Sequence, residues 1–220
     1  MSSSSTLCLR ALGSTSTHLA YETISTTSTH VDVQLRQSTL ACPGHDCAGI
    51  LGPWGYARTR RLRLGTGRTW AHTPRRARCR ACGRTHVLVA ALSYPRRPDT
   101  VETVGAALLG AARGLGHRRI ADEVGLPATT VRGWLQRARA NSETIRVNAT
   151  IVAHALDPML GPIRPTGSPL GDMVEAVGVA EAAHVRRLGP AAPPWQPAVT
   201  ITCAGVLAHQ PRLIARYPNE

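Results

Sequence analysis

The chain has 220 residues, a formal net charge of +13 and a pI near 11.0, and all 26 of its lysine and arginine positions are arginine. Such a length holds one or two small domains, and such a charge predicts a polyanionic partner, most simply nucleic acid. The sequence contains no run of about 18 apolar residues, so no transmembrane helix is predicted. It also lacks a signal-peptide pattern, and we therefore expect a cytoplasmic, nucleoid-associated protein.

The first 94 residues divide into two predicted regions. Residues 1–30 are rich in Ser and Thr and predict a disordered tail, because such a segment cannot bury enough apolar surface to offset its ordering entropy. Residues 31–94 predict a small arginine-rich β domain, with strands at 31–35 and 85–90 where apolar and polar residues alternate. Between residues 47 and 98 the chain has 12 Arg and neither Asp nor Glu. We expect Trp54, Tyr56 and Trp70 to fill a small core there, with stacking on nucleic-acid bases as the alternative.

Two cysteine pairs in this region predict a metal site. Cys42 and Cys47 enclose a Pro/Gly turn, and Cys79 and Cys82 form a regular Cys-x2-Cys pair followed by glycine. Reduced thiols are expected in the cytoplasm, and four thiolates satisfy tetrahedral zinc. The first pair is two residues longer than the regular spacing, so His45 remains an alternative ligand to Cys47. The sequence predicts a zinc-ribbon-like domain over 31–94 with Zn²⁺ as its cofactor.

From residue 99 onward the apolar spacing becomes helical. Asp99 and Glu102 stand at capping-box spacing and predict the start of the first helix. Further helices are predicted at about 117–124 and 128–140, and residues 99–140 are predicted to form one domain. Ser142 predicts the start of another helix.

The segment HRRIADEVGLPATTVRGWLQ, residues 117–136, has the spacing that a helix-turn-helix requires. Ala121 is small where two helices touch, and Gly125 follows where the turn needs a positive φ. Val131 and Trp134 supply apolar contacts between the helices, and Pro127 stands at the start of the second helix, where its missing N–H does no harm. The predicted fold class is therefore mainly α: a helix-turn-helix three-helix domain with a small N-terminal β zinc ribbon and C-terminal helices.

This segment resembles the helix-turn-helix domains of transposases, resolvases and related small DNA-binding proteins of high-GC bacteria. Together with the upstream cysteine pairs it resembles uncharacterised actinobacterial helix-turn-helix proteins with a zinc ribbon. The resemblance implies double-stranded DNA as the partner, with the second helix in the major groove. Arg132 and Gln136 are the best candidates for reading bases, because their side chains can bond guanine and adenine edges. The residues expected at the DNA are Thr129, Thr130, Arg132, Gly133, Gln136, Arg137, Arg118, Arg119 and Arg139.

The C-terminal region, residues 141–220, is predicted to be helical, with a helix starting at Ser168 and Pro169. Its apolar stripes suggest a homodimer. The acids available for catalysis in this region, Asp157, Asp172, Glu175 and Glu181, are expected on solvated helix faces, and no catalytic motif is present. The chain is therefore predicted to be a DNA-binding regulator or a mobile-element-derived binder and not an enzyme. Two alternatives remain open: a zinc-ribbon module that binds a protein, and a transposase fragment that lacks its nuclease domain.

Overall fold

The structure is a computed structural model that describes residues 19–22, 28–44, 47–64, 67–90, 92–94, 97–189, 198 and 205–208. Over these ranges the strands are β1 Leu19–Glu22, β2 Leu51–Tyr56, β3 Arg60–Arg63, β4 Thr69–His72, β5 Arg75–Cys79 and β6 Thr85–Ala90. The α-helices are α1 Ser28–Arg36, α2 Val101–Ala112, α3 His117–Val124, α4 Ala128–Leu156 and α5 Pro169–Leu188, followed by a 3-10 turn at Gly205–Leu207. We call α1 and the six strands the sheet region, and α2–α5 the helical region.

The prediction of a mainly α fold is wrong, because the sheet region is a substantial part of the molecule. Four strands form a sheet in the order β1-β6-β5-β2, in which β1 pairs with β6 in parallel and the other pairs are antiparallel. Strands β3 and β4 form a separate antiparallel hairpin. Strands and loops are expected between residues 49 and 78, but the bounds of these strands escape prediction because arginines and exposed residues replace the apolar alternation. The last four residues of β2, for example, are all exposed. The fold is mixed, with a β-sheet region beside a helical one.

Helix α1 covers one face of the sheet. Residues 31–35, predicted as a strand, lie within this helix, so that prediction is wrong. Asp32 and Leu35 stand three residues apart, which places them on one helical face. Leu35 is fully buried against the sheet, and Asp32 forms an ion pair with Arg75 of β5. In a helix both side chains reach the sheet, whereas in a strand residues three apart would point to opposite faces. The small core of the sheet region consists of Leu35, Leu40, Cys42, Leu51, Ala77, Cys79 and Leu88.

Two of the aromatic residues expected in that core lie outside it. Trp54 is 49% exposed and Tyr56 is 55% exposed, whereas Trp70 is half-buried. The expectation that Trp54 and Tyr56 fill a core is therefore wrong, because both lie in the exposed second half of β2.

The helical region has one continuous core. It joins α2, α3, α4 and α5, and it includes residues on both sides of position 140, where the sequence predicts a domain boundary. The prediction of a separate helix starting at Ser142 is wrong, because α4 continues without a break from Ala128 to Leu156. The Ser142 hydroxyl donates to the carbonyl of Arg139, and the Asn141 amide donates to the carbonyls of Val206 and Ala208. These polar residues are satisfied within a long helix and mark no helix end.

Helix α5 begins as predicted, with the Ser168 hydroxyl accepting from the N–H of Gly171 at 3.1 Å. Its Leu170 and Val177 are buried in the core shared with α4. The apolar stripes that suggest a homodimer are thus largely used inside the chain. None of the helices within the described ranges combines the length and apolarity needed to cross a membrane.

An ion pair joins the two regions. Asp99 is not the cap of α2; the N-cap is Thr100, whose side chain accepts from the N–H of Thr103. The Asp99 carboxylate, 1% exposed, instead accepts from Nε and Nη2 of Arg63 in β3 at 2.7 and 3.0 Å. The N–H of Thr100 also donates to the carbonyl of Arg63 at 3.1 Å. The β3–β4 hairpin is therefore fastened to the start of the helical region.

The ends of the chain lie largely outside the described residues. Within the predicted disordered tail, 1–30, the structure has β1 and the start of α1, and the remaining residues of that tail are not described. His45, the alternative metal ligand, also lies outside the described residues.

Candidate metal centre and nucleic-acid interface

The four predicted cysteines form one cluster. The Sγ atoms of Cys42, Cys47, Cys79 and Cys82 all lie within 4.8 Å of one another, and the four thiols form no disulfide. Cys42 Sγ is 3.8 Å from Cys82 Sγ, and Cys47 Sγ is 3.6 Å from Cys79 Sγ. A tetrahedral ion with metal–sulfur bonds of about 2.3 Å needs its sulfurs roughly 3.8 Å apart. The cysteine cluster could therefore bind a metal ion.

Backbone N–H groups point at three of the sulfurs. The N–H of Gly44 lies 3.4 Å from Cys42 Sγ, that of Gly49 lies 3.3 Å from Cys47 Sγ, and that of Cys82 lies 3.5 Å from Cys79 Sγ. Such donors stabilise thiolates and orient ligands. The two extra residues between Cys42 and Cys47 do not prevent this arrangement, since each of these cysteines has its own glycine two residues later.

Position 49 requires glycine because the backbone passes close to Cys79 and Ala81. A Cβ at this position would stand 2.6 Å from Cys79 Sγ and 2.6 Å from the Cβ of Ala81. No side chain fits there without displacing a sulfur of the cluster. The sequence indicates this glycine, since Cys47-Ala-Gly resembles the second half of a ribbon knuckle, a pattern that favours Cys47 over His45 as a ligand.

The surroundings shift the pKa values of two of the thiols in opposite directions. Burial raises the pKa of Cys79, but the N–H groups of Cys82 and Ala81 together with the neighbouring thiols outweigh it and bring the pKa to about 7. Burial raises the pKa of Cys42 to about 12, against the N–H of Gly44, which lowers it. A cation at the centre of the cluster would favour all four thiolates.

His86 is a neighbour of the cysteine cluster that was not predicted from the sequence. It is fully buried in β6, and its Nε2 lies 3.7 Å from Cys42 Sγ. In the THVL segment of β6, strand alternation places His86 on the same face as the buried Leu88, which is the signal that could have identified it. An N–H at Nε2 would donate to the Cys42 sulfur.

Most of the predicted DNA-contacting residues of α4 are exposed. Val131, Trp134 and Leu135 are buried at 0–2% exposure. Arg132 and Gln136 are exposed on the opposite side of the helix. Thr129 is also exposed, whereas Thr130 and Gly133 are half-buried.

A tight turn positions this face. Gly125 ends α3 with φ 67° and ψ 39°, the left-handed conformation that glycine adopts without steric cost, and its N–H bonds to the carbonyl of Ala121. Pro127 is the N-cap of α4, one residue before the helix begins. Helices α3 and α4 are thereby joined by three residues.

The predicted phosphate-contacting arginines are all exposed, but not all are equally available. Arg119 lies 3.4 Å from Glu123 on the same helix, whereas Arg137 donates to the carbonyl of Gly133 at 3.1 Å. Arg118 and Arg139 project to solvent from α3 and α4. Acids are therefore mixed with arginines on α3, and the more basic surface is on α4.

The linker before α2 adds charge near α4. Burial and the positive charge of Arg137 lower the pKa of Arg97, while Asp99 acts in the opposite direction. Arg97 is half-buried and adds a positive charge to the linker before α2.

Comparison with known proteins adds no family. No protein-family model, no curated protein and no solved structure matches this chain. The resemblance to helix-turn-helix proteins of transposases and resolvases rests on the motif in residues 117–136 and on the cysteine pairs alone.

Proposed function

We propose that the protein is a non-catalytic binder of double-stranded DNA that places the N-terminal part of α4 in the major groove. One observation carries the proposal: α4 buries Val131, Trp134 and Leu135 completely while it presents Arg132 and Gln136 to solvent. A helix that is anchored on one side and bears hydrogen-bonding side chains on the other is what a recognition helix requires.

Arg132 is assigned to base reading. Its guanidinium is exposed near the N-terminal end of α4, and it can donate two parallel hydrogen bonds to O6 and N7 of guanine. Gln136 follows one turn later and can bond adenine in the same way. Thr129 supplies a hydroxyl for a phosphate or a methyl group for thymine contact.

Phosphate contacts are assigned to the surrounding arginines. Arg118, Arg137 and Arg139 carry exposed guanidinium groups, and Arg119 would exchange its pairing with Glu123 for a phosphate. The chain has a net charge of +13, so release of counterions from DNA would supply much of the affinity. Such contacts position the protein without specifying a sequence.

The metal of the cysteine cluster is proposed to be zinc. Four thiolates in tetrahedral arrangement suit Zn²⁺ or an iron–sulfur centre, and the cluster has the closed, four-ligand form of a structural zinc site. Cys42, Cys47, Cys79 and Cys82 would hold the ion, which would cross-link the loop before β2 to the β5–β6 turn. Metal analysis of the purified protein is expected to find one zinc per chain and no iron.

The role proposed for the whole chain is that of a regulator, or of a binder derived from a mobile element, that associates with the nucleoid. The test is fluorescence anisotropy on pooled duplex DNA over a salt series, for the unmodified protein, Arg132→Ala and Arg164→Ala. Arg164 is exposed in the loop that follows the C-terminal end of α4, and it provides a charge-matched control outside the predicted contact residues.

We expect the logarithm of the affinity to fall with the logarithm of the salt concentration, by about 0.9 for each phosphate contact. Arg132→Ala should weaken binding to selected sites by roughly 1–3 kcal/mol, whereas Arg164→Ala should leave the preference unchanged. Equal losses of affinity in the two variants would show that the protein binds DNA nonspecifically, through its charge alone. Absence of duplex binding at physiological salt would overturn it in favour of a protein partner.

A further inference from the structure

Among the described residues, one face of the sheet packs on the small core and α1, and the other, which we call the open face, carries exposed side chains. Leu51 pairs with Cys79, and the next pair along the strands is Gly52 with Arg78. Since successive residues of a strand point to opposite faces, the core residues Leu51, Ala77 and Cys79 lie on one face and Arg76 and Arg78 on the other. The core and α1 lie against the first face, and on the open face Arg78 is exposed and Arg76 is half-buried.

Trp54 lies on this open face with two arginines beside it. The Arg78 guanidinium lies over the Trp54 ring, 4.7 Å from its centroid, and the indole is still 49% exposed. Arg80 covers Gly52, since a Cβ there would stand 3.2 Å from its Nε. We call Trp54, Arg76, Arg78 and Arg80 the Trp54 face. It is cationic and aromatic, and the chain from 47 to 98 places no acid near it in sequence.

An exposed tryptophan among arginines fits one class of partner best. The flat indole offers a stacking surface for a nucleobase, and the guanidinium groups offer donors for phosphates. In duplex DNA the faces of the bases are already stacked on one another, so only an unpaired base can reach Trp54. An acidic peptide would match the charge but would leave the indole unused.

We propose that the Trp54 face binds single-stranded DNA, with one base stacked on Trp54 and the neighbouring phosphates held by Arg76, Arg78 and Arg80. The choice of DNA over other nucleic acids rests on the proposed function of α4. The ion pair of Arg63 with Asp99 fastens the sheet region, which carries the Trp54 face, to the helical region, which contains α4. A DNA molecule with a duplex part and an unpaired extension offers a ligand to each region.

Tyr56 provides a matched control. It is as exposed as Trp54, at 55%, and it also carries a guanidinium, that of Arg75, at 4.3 Å. However, Arg75 pairs with Asp32 of α1, the helix on the covered face. The register changes between Pro53 and Tyr56, so Tyr56 belongs to the α1 side of the sheet and not to the Trp54 face.

The experiment measures anisotropy of a labelled single-stranded oligothymidine with the full, metal-loaded chain. Trp54→Leu should weaken binding roughly 5- to 150-fold, the loss of one stacked base, while Trp54→Tyr keeps most of the affinity. Tyr56→Leu should change it less than about 3-fold by the same reasoning. Arg132→Ala should leave single-strand binding unchanged even where it lowers duplex binding, so the two proposals can fail separately.

Three results would overturn the inference. Equal losses for Trp54→Leu and Tyr56→Leu would remove the specific role of this face. Tighter binding of oligouridine RNA would assign the face to RNA, and equal binding of polyglutamate would reduce it to a charge effect. A duplex with a single-stranded overhang should bind more tightly than the blunt duplex, and this gain should vanish in Trp54→Leu.

Discussion

The helical region and the sheet region are stabilised in different ways. The helical region buries a continuous apolar core that runs from Tyr94 to Leu207, with Trp134, Leu135 and Ile145 at its centre. The core of the sheet region is much smaller, and two of its buried members, Cys42 and Cys79, are candidate metal ligands. Burial alone accounts for the first region and not for the second.

This difference indicates where a cross-link is needed. A small domain cannot offset its chain entropy by burial, and a structural metal is one of the usual substitutes. The sheet region has the cysteine cluster, the ion pair of Arg75 with Asp32 and the junction at Arg63 and Asp99 in place of a large core. We therefore expect the two regions to respond differently to the same perturbation.

Loss of the metal should produce the largest effect. Removal of the proposed zinc by a chelator, or Cys79→Ser, should unfold the sheet region, because binding of structural zinc contributes on the order of 10 kcal/mol. Amide hydrogen exchange should then show fast exchange in β5 and β6 and continued protection in α4. Ala81→Ser, an exposed change between Cys79 and Cys82, serves as the control and should retain both zinc and protection.

Protection of β5 and β6 that survives complete metal removal would refute this difference between the regions. Simultaneous loss of protection in α4 would show instead that the two regions unfold as one unit.

The junction between the regions should have an intermediate effect. Asp99→Asn removes the charge that Arg63 contacts through two hydrogen bonds, and hydrogen bonds to charged groups contribute roughly 1.5–3 kcal/mol. Arg63 is 35% exposed, which reduces the expected loss to the lower end of that range. Asp157→Asn, which breaks the more exposed pair with Arg186, should cost less than about 1 kcal/mol. Urea denaturation followed by circular dichroism measures both, and equal losses would contradict the importance of the junction.

The smallest expected effect is a pH dependence of the helical region. Partial burial raises the pKa of Glu181 on α5 from 4.5 to about 7. The folded state therefore binds this proton more tightly than the unfolded state, so stability falls as pH rises from about 4.5 through about 7. Glu181→Gln should remove that fall. His184, whose pKa is lowered by burial, acts in the opposite direction at low pH and remains present in both proteins.

The measurement is thermal unfolding of the unmodified protein and of Glu181→Gln in matched buffers between about pH 4 and pH 8. This range covers the pKa of Glu181 in both the unfolded and the folded state. A constant difference between them across this range would show that Glu181 is not perturbed.

Local spacing was sufficient to predict much of the helical region and of the cysteine cluster. Helical spacing predicts the buried face of α4, which consists of Val131, Trp134, Leu135 and Ala138. Gly125 adopts the left-handed conformation that the turn needs. The spacing of Cys79, Cys82 and Gly83 marked one half of the cluster. These features are local, because they depend on helical period, on a required φ or on the chemistry of one residue type.

The sheet region was predicted poorly because its strands do not depend on apolar alternation. Over the part of the chain that the structure describes, α1 covers one face of the sheet, and the other face carries arginines where a buried strand would carry apolar residues. Helix α1 likewise forms where a short alternating pattern predicts a strand, since Asp32 and Leu35 reach the sheet only from a helix.

By itself the sequence determined the charge, the four thiols, the α3–α4 turn and the buried face of α4, since each follows from composition or short-range periodicity. Only the tertiary structure decided the rest. It continues α4 past Ser142, because Asn141 finds acceptors in the segment at 206–208. It makes Asp99 a partner of Arg63, places His86 beside Cys42 and leaves Trp54 exposed. Each of these depends on groups distant in sequence, whose proximity no local pattern encodes.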